Sequence, residues 1–296
     1  MDTYSKIIDL IKASEQTVIL TGAGVSTESG LPDFRSDNGF WTKNKPIQFN
    51  DFVASEEQQM LSWERNIELH VLLKNTAPNI GHKFIAKVIN KKNRNFLITQ
   101  NIDGLHQKSG IPDNKIIEIH GSAIEAKCIE CEEKHNILDF HAAIKKKIPL
   151  PKCSKCSGIV KVATISFGQP MNKSDMANAS KISSECDLMM VMGSSLQVMP
   201  ANQLPSLAMQ SGSKVVIFNR EKTSYDSFAD IVINDEGHTA MIKLTDKIID
   251  DKKSESHGAS LAGVIEKELR ILRSETNKKV TVISNVFFII ISLILS

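Results

Sequence analysis

The sequence predicts an α/β fold built on a mostly parallel sheet, and three observations carry that reading. Six short apolar runs recur along the chain, amphipathic stretches of helical length separate them, and polar clusters follow the runs at their C-terminal ends. Strands covered on both faces read as such continuous Val/Ile/Leu runs rather than as alternating patterns. With 296 residues, 41% hydrophobic and 24% charged, the chain can bury a full core without disulfides or metals. A formal net charge of +2 excludes a general attraction to nucleic acid or anionic lipid. An aromatic content of 5% leaves little for a base-stacking surface.

In chain order, residues 17–20 form the first strand, which ends at Gly22-Ala23-Gly24 as a buried strand feeding a tight turn does. Residues 40–76 read as polar and helical, carrying Trp41 and Trp63, and residues 81–90 as an amphipathic helix. Strands follow at 96–98 and 116–119. Residues 128–156 are rich in Lys and Glu and too poor in apolar residues to form a core of their own. Strands at 188–192, 215–218 and 231–233 complete the sheet, with a helix at 203–210 between the first two. The segments about 40–76 and 124–160 break the rhythm and read as insertions that together make a second, smaller domain. The main domain is expected to span 1–250, followed by a charged linker at 251–279. No internal repeat is present.

Five cysteines do not form an even set, and the N-terminus lacks the charged-then-apolar layout of a signal peptide, so a cytoplasmic setting is expected. Cysteine pairs are then read first as metal ligands. Cys128-x2-Cys131 and Cys153-x2-Cys156 are two knuckles separated by twenty-one residues, the spacing of a four-thiolate zinc site. Four thiolates leave no open coordination position, so one structural zinc per chain is expected. His135 lies between the knuckles and reads as a surface residue, and Cys186, just before an apolar strand, as a core residue. The knuckles alone would suit a nucleic-acid-binding ribbon equally well.

The polar clusters place chemistry where an open sheet binds its ligand, beyond the C-terminal ends of its strands. After the first strand, Gly22, Ala23 and Gly24 let backbone N–H groups approach an anion, and a helix N-terminus just after would add its dipole. Thr27 stands where the third glycine of the usual dinucleotide fingerprint belongs. Asp33, Phe34 and Arg35 then set an acid, an aromatic ring and a guanidinium side by side, suited to a phosphate and a flat heterocycle. Gln100, Asn101, Ile102 and Asp103 follow the second strand, and His120, a candidate general base, follows the third. Gly193, Ser194 and Ser195 follow the fourth, and Asn219, able to bond a ribose hydroxyl, follows the fifth. Five strand ends with five polar clusters indicate a nucleotide-sized ligand.

These motifs, with Phe167-Gly168 and the paired cysteines, occur in the order found in the sirtuins, the NAD-dependent protein lysine deacylases, which the chain resembles from about residue 3 to 250. The resemblance implies a Rossmann-like sheet domain, a small domain of the helical insertion and the four-cysteine zinc ribbon, and NAD in the cleft between them. It implies that Ala23, Phe34, Asn101, Ile102 and Asp103 surround the nicotinamide and its ribose, with Asp103 accepting from the carboxamide. Asn101 and Asp103 would share the catalytic work with His120. Gly22, Arg35 and Ser194 would hold the pyrophosphate, with Gly24, Asp33, Gly193 and Ser195 beside them. Gln100 would bond the nicotinamide ribose, and Asn219 the adenosine ribose. His120 would be the general base, and acylated proteins or peptides the partners, with no specific nucleic acid.

The segment Lys161-Val162-Ala163-Thr164-Ile165-Ser166-Phe167-Gly168-Gln169 departs from the family, which often has Pro after the basic residue and an acid after Phe-Gly. Val162, Ile165, Phe167 and Gly168 still offer a wall for a lysine stem. The Tyr and Arg pair with which desuccinylating relatives grip an acidic acyl group is absent, so a neutral acyl group, acetyl first, is expected. Two rivals share the cofactor half of the site: an NAD hydrolase or mono-ADP-ribosyltransferase, and a non-enzymatic NAD-binding module that recruits partners. Finally, twelve of the seventeen residues 280–296 are apolar, and a helix of that length spans about 25 Å. The expectation is a C-terminal membrane anchor, with Lys278 and Lys279 keeping the catalytic domain cytoplasmic.

Overall fold

The elements, in chain order, are α1 (Thr3–Ala13), β1 (Thr17–Thr21), α2 (Phe49–Ala54), α3 (Glu56–Asn75), α4 (Ile80–Lys91), β2 (Phe96–Thr99), α5 (Leu105–Lys108), β3 (Ile116–Glu118), β4 (Gly121–Cys128), β5 (Lys134–His135), α6 (Ile137–Lys146), β6 (Val160–Thr164), α7 (Lys173–Glu185), β7 (Leu188–Met192), α8 (Leu204–Gln210), β8 (Lys214–Phe218) and β9 (Ile231–Ile233). They belong to a computed structural model that describes residues 2–32, 45–234 and 244. The six apolar runs of the sequence are the six strands of one parallel sheet, in the order β3-β2-β1-β7-β8-β9.

β1 and β7 are buried at every position because each lies inside the sheet, with Ile19 registered against Leu97 on one side and Met190 on the other. The chain builds outward from β1 to β3, then returns to β7 and builds outward the other way. The strand order therefore reverses between β1 and β7, which opens a crevice beyond their C-terminal ends. α4 starts at an Asn79/His82 capping box and lays Ile85, Val88 and Ile89 into the core. Full burial of one such side chain contributes about 1.5–3 kcal/mol. On the other side, α7 and α8 bring Ala179, Leu204 and Ala208 against β1, β7 and β8.

The two insertions share a core, which is why neither needed one of its own. Trp63 of α3 packs with Ala126, Cys128, Phe140, Cys153 and Val160, and its ring stacks on Phe140 at 4.4 Å. β4, β5 and β6 form a separate antiparallel sheet in the order β5-β4-β6. Chemistry-bearing loops thus sit between a parallel sheet and a small helical and cysteine-bearing domain.

Two expectations are corrected. The glycine loop does not lead into an α-helix: two 3-10 turns, Ala23–Val25 and Thr27–Ser29, follow it, and Gly30 ends the second. Their amides close short turns, so no long helix dipole is aimed along this loop. The membrane anchor is withdrawn, and with it the placing of the protein at the cytoplasmic face of a membrane. Among the described residues no helix is long and apolar enough to cross a membrane. The 20-residue α3 has the length but carries Glu56, Glu57, Glu64, Arg65, Glu68 and Lys74. The linker 251–279 and the run 280–296 lie outside the described residues.

Candidate active site

At the reversal point the loops after β1 and β7 interlock. Gly22 N–H donates to the Met192 carbonyl at 3.1 Å and Gly24 N–H to the Gly193 carbonyl at 2.9 Å. Both glycine amides are therefore spent on the neighbouring strand, and what these glycines supply is close approach of two backbones. Gly193 has φ +62°, and a Cβ there would meet Val25 N at 2.4 Å, so only glycine fits.

Beneath this turn lies a buried polar network. His82 Nδ1 accepts the Asn79 N–H at 3.3 Å, so the neutral ring carries its proton on Nε2, which lies 3.3 Å from Ser26 Oγ. Ser26 also accepts from Asn101 Nδ2 at 3.1 Å and donates its own proton to Asp103 Oδ2 at 2.7 Å. Asp103 Oδ1 accepts the Leu105 N–H at 2.9 Å. Every lone pair and proton of the Ser26 hydroxyl is used, which fixes the Asn101 amide and leaves its Oδ1 buried with no partner among the described residues. An unpaired buried acceptor at this depth is costly, and a ligand amide or hydroxyl would relieve it. Burial pushes His82 down to about 4. His106 is lowered well below the usual histidine range by burial and then by His82, whose ring is 5.0 Å away. Burial raises Asp103, against the opposing hydrogen bonds from Leu105 and Ser26 and the charge of Lys108.

Gln100 bridges the strand ends: its Nε2 donates to Ser194 Oγ at 2.8 Å, while its carbonyl lies 3.0 Å from His120 Nδ1. A carbonyl only accepts, so Nδ1 carries the proton and the basic lone pair of the neutral His120 ring is on Nε2. Behind His120 the small domain crosses closely. Gly121 has φ +73°, a Cβ there would meet the Ala163 carbonyl at 1.9 Å, and Ile165 N–H donates to the His120 carbonyl at 2.8 Å.

One cleft of about 1470 Å³ is lined by Gly22, Ala23, Gly24, Gln100, Asn101, Ile102, Asp103 and His120, by Gly193, Ser194, Ser195 and Asn219, and by Val162, Ile165, Phe167 and Gly168. Asn219 sits at its far end, its Nδ2 donating to the Glu221 carbonyl at 2.8 Å. Asp33, Phe34 and Arg35 lie outside the described residues. Sequence reasoning did not single out Ser26, His82 or His106 as site residues. The signal was present for His82, three residues after the capping Asn79 at the start of an amphipathic helix. It also did not foresee the apolar wall from α3, where Leu69, Leu72 and Leu73 face the cleft with Leu31 and Ala123.

Cys128, Cys131, Cys153 and Cys156 bring their Sγ atoms within 4.8 Å of one another, and neighbouring pairs are 3.4–3.5 Å apart. Four thiolates around one zinc stand about 3.8 Å apart for Zn–S bonds of about 2.3 Å, so the donor set and spacing fit that ion. His135 is not a fifth member, but its Nε2 lies 3.3 Å from Cys153 Sγ. Cys186 is a buried core residue, as its position before β7 implied.

The comparisons agree with this geometry. The family model described as "Sir2 family" matches residues 22–200. The chain is 40% identical over 232 residues to an NAD-dependent protein deacetylase of Rhodopseudomonas palustris, covering 78% of this chain and 92% of that one. It is 42% identical over 232 residues to NAD-dependent protein deacetylase 1 of Bradyrhizobium diazoefficiens, covering 78% and 91%. A solved Sir2 protein bound to a propionylated peptide superposes with a TM-score of 0.71 at 32% identity, over 83% of this chain and 98% of that one. A parallel sheet that reverses at a glycine-locked crevice, a four-cysteine module beside it and a histidine at the third strand's end are what the match spans, and the chain belongs to the Sir2 family.

Proposed function

We infer that this chain removes acyl groups from protein lysine side chains with NAD as co-substrate, giving nicotinamide, the free lysine and O-acyl-ADP-ribose. Alongside family membership, one observation carries the reading. His120 lines the cleft with its Nδ1 proton committed to the Gln100 carbonyl, the tautomer a general base requires. NAD supplies a ribose carbon from which nicotinamide departs and at which the weakly nucleophilic acyl oxygen can attack. The chain's own residues position and protect that exchange. Asn101 Oδ1 offers a fixed acceptor in the cleft floor, and Asp103 is suited to accept from a carboxamide. Ser194, tied to Gln100, and the turn of Gly22, Ala23, Gly24 and Ser195 would lie along the pyrophosphate, with Asn219 at the adenosine end. Asp33, Phe34 and Arg35 complete the proposed cofactor set. His120 Nε2 would take a ribose hydroxyl proton, and Val162, Ile165, Phe167 and Gly168 would hold the lysine stem.

The four cysteines would hold one zinc, whose full thiolate shell gives it a structural role. A neutral acyl group, acetyl or slightly longer, suits the cleft because Leu69, Leu72 and Leu73 present an apolar wall. Arg65, the one guanidinium of α3, donates to the Lys45 carbonyl at 2.8 Å. The deciding experiment incubates the protein with NAD and acyl-peptides of increasing chain length and follows nicotinamide, free peptide and O-acyl-ADP-ribose. All three should appear together. Nicotinamide released without the acylated product would favour an NAD hydrolase or ADP-ribosyltransferase. NAD binding with no turnover on any peptide would favour a partner-recruiting module.

A further inference from the structure

Lys161 is a lysine in the wrong place for a lysine. It is only 3% exposed, inside β6, and among the described residues no carboxylate lies within ion-pair range of it. A buried ammonium without an acid needs all three of its N–H groups satisfied. Lys161 Nζ finds its acceptors on its own strand: the Val162 carbonyl at 3.2 Å, the Thr164 carbonyl, and Thr164 Oγ1 at 3.5 Å. The ring of Phe52 covers the ammonium, with its centroid 5.9 Å away.

The location gives this arrangement a consequence. β6 is an edge strand that pairs only with β4, and that pairing is irregular between Gly121 and Ala126. The ammonium therefore gathers the last carbonyls of β6 where a second strand would otherwise supply donors. The next residue, Ile165, bonds the His120 carbonyl, and residues 164–168 line the cleft. At the far end of that segment the Phe167 carbonyl accepts the N–H of Phe49, at the start of the helix that carries Phe52. One side chain thus ties the end of β6, the cleft wall and α2 into a single unit. Burial pushes Lys161 down to about 7, so near neutral pH the group passes between ammonium and amine, and its N–H donors rather than a fixed charge hold the strand end.

We propose that Lys161 is a positioning residue for the acyl-peptide: the N–H donors of its buried amino group hold residues 164–168 in the shape that receives the acylated lysine. The inference rests on the deacylase reading above, and the test separates the two. Steady-state kinetics are measured on the zinc-loaded full chain with an acetyl-peptide and NAD. If the wild-type protein gives no deacetylated peptide, the deacylase reading fails whatever Lys161 does. If it turns over, Lys161→Met, which keeps the stem and removes the donors, should raise the peptide KM by roughly tenfold, leaving kcat and the NAD KM within about twofold. Lys161→Arg, which keeps a buried cation and its donors, should recover most of the loss. An unchanged peptide KM in Lys161→Met overturns the proposal. So does an equal rise in both KM values, because that marks general loosening. Should Lys161→Met not fold, Lys161→Leu, which likewise removes the donors, is judged by the same split.

Discussion

His82 Nε2 stands 3.3 Å from Ser26 Oγ, and because Asn79 N–H occupies the other ring nitrogen, His82 is the donor of that pair. The ring is buried and neutral, held at about 4 against an ordinary value of 6.5. Between those two values the unfolded chain binds a proton that the native chain does not. Stability should therefore be unaffected by this group above about pH 6.5 and fall as the pH drops from there through about 4. The loss from His82 alone is on the order of 3 kcal/mol. His106, lowered in the same direction, steepens the fall. Urea midpoints measured from pH 8 to pH 4 should show this slope, and His82→Gln should flatten it. A slope identical in the variant would mean that His82 is not the titrating group.

Ser26 is the hub through which that histidine reaches the cleft. Ser26→Ala removes one hydroxyl and leaves Asp103 Oδ2, Asn101 Nδ2 and His82 Nε2 without their shared partner. The expected cost is about 1–3 kcal/mol of stability, with a larger loss in catalysis because the Asn101 amide is then free to turn. Thermal unfolding gives the first quantity and kcat/KM for the acyl-peptide the second. Full activity in Ser26→Ala would show that Asn101 keeps its orientation without it.

The six strands of the parallel sheet were legible because each is a short, mostly apolar run. The inner strands show the pattern that burial on both faces imposes, while the partly buried edge strand β3 admits Glu118. The antiparallel β4 and β6 were not. β4 reads Gly121-Ser122-Ala123-Ile124-Glu125-Ala126-Lys127-Cys128, which alternates irregularly, and β6 buries a lysine that satisfies itself on its own strand. The cleft residues were legible at strand ends because the fold rule places ligands there. The use of the glycines was misread, since nothing in Gly22-Ala23-Gly24 says that its amides are claimed by Met192 and Gly193. His82 was hidden for a similar reason. Local capping and the distant hydrogen bond to Ser26 use the same ring, and only the first is encoded nearby.

Gly193→Ala tests the interlock at the strand reversal. The new Cβ would lie 2.4 Å from Val25 N in a backbone conformation of φ +62°, so the two loops must part. The expected result is a loss of about 1–3 kcal/mol of stability, read as a lowered melting temperature, and weakened NAD binding by calorimetry. An unchanged affinity for NAD would separate the interlock from the cofactor site.

His120→Ala should lower deacylation by roughly 10²–10⁴-fold while NAD still binds, because the ring is held by the Gln100 carbonyl and takes no part in the Ser26 network. Calorimetric titration with NAD and turnover of the acyl-peptide, done on the same preparation, distinguish a lost base from a lost site. A variant with near-wild-type turnover would remove His120 from the mechanism.

The cysteine module should report its own metal through Trp63. Cys128 and Cys153 share a core with Trp63, whose ring stacks on Phe140 at 4.4 Å, so loss of the metal exposes the packing around that indole. The chain has two tryptophans, and Trp41→Phe leaves Trp63 as the sole emitter. In that background a strong zinc chelator, or Cys156→Ser, should release about one zinc per chain and red-shift the emission. The parallel sheet does not depend on these four cysteines: its core is built from β1, β7, β8, α7 and α8, and the one cysteine in it is Cys186. Far-UV circular dichroism should therefore retain most of its signal while the fluorescence changes. Metal content below one per chain in protein purified without chelator, or emission indifferent to zinc removal, would show that the four thiols are not a structural zinc site.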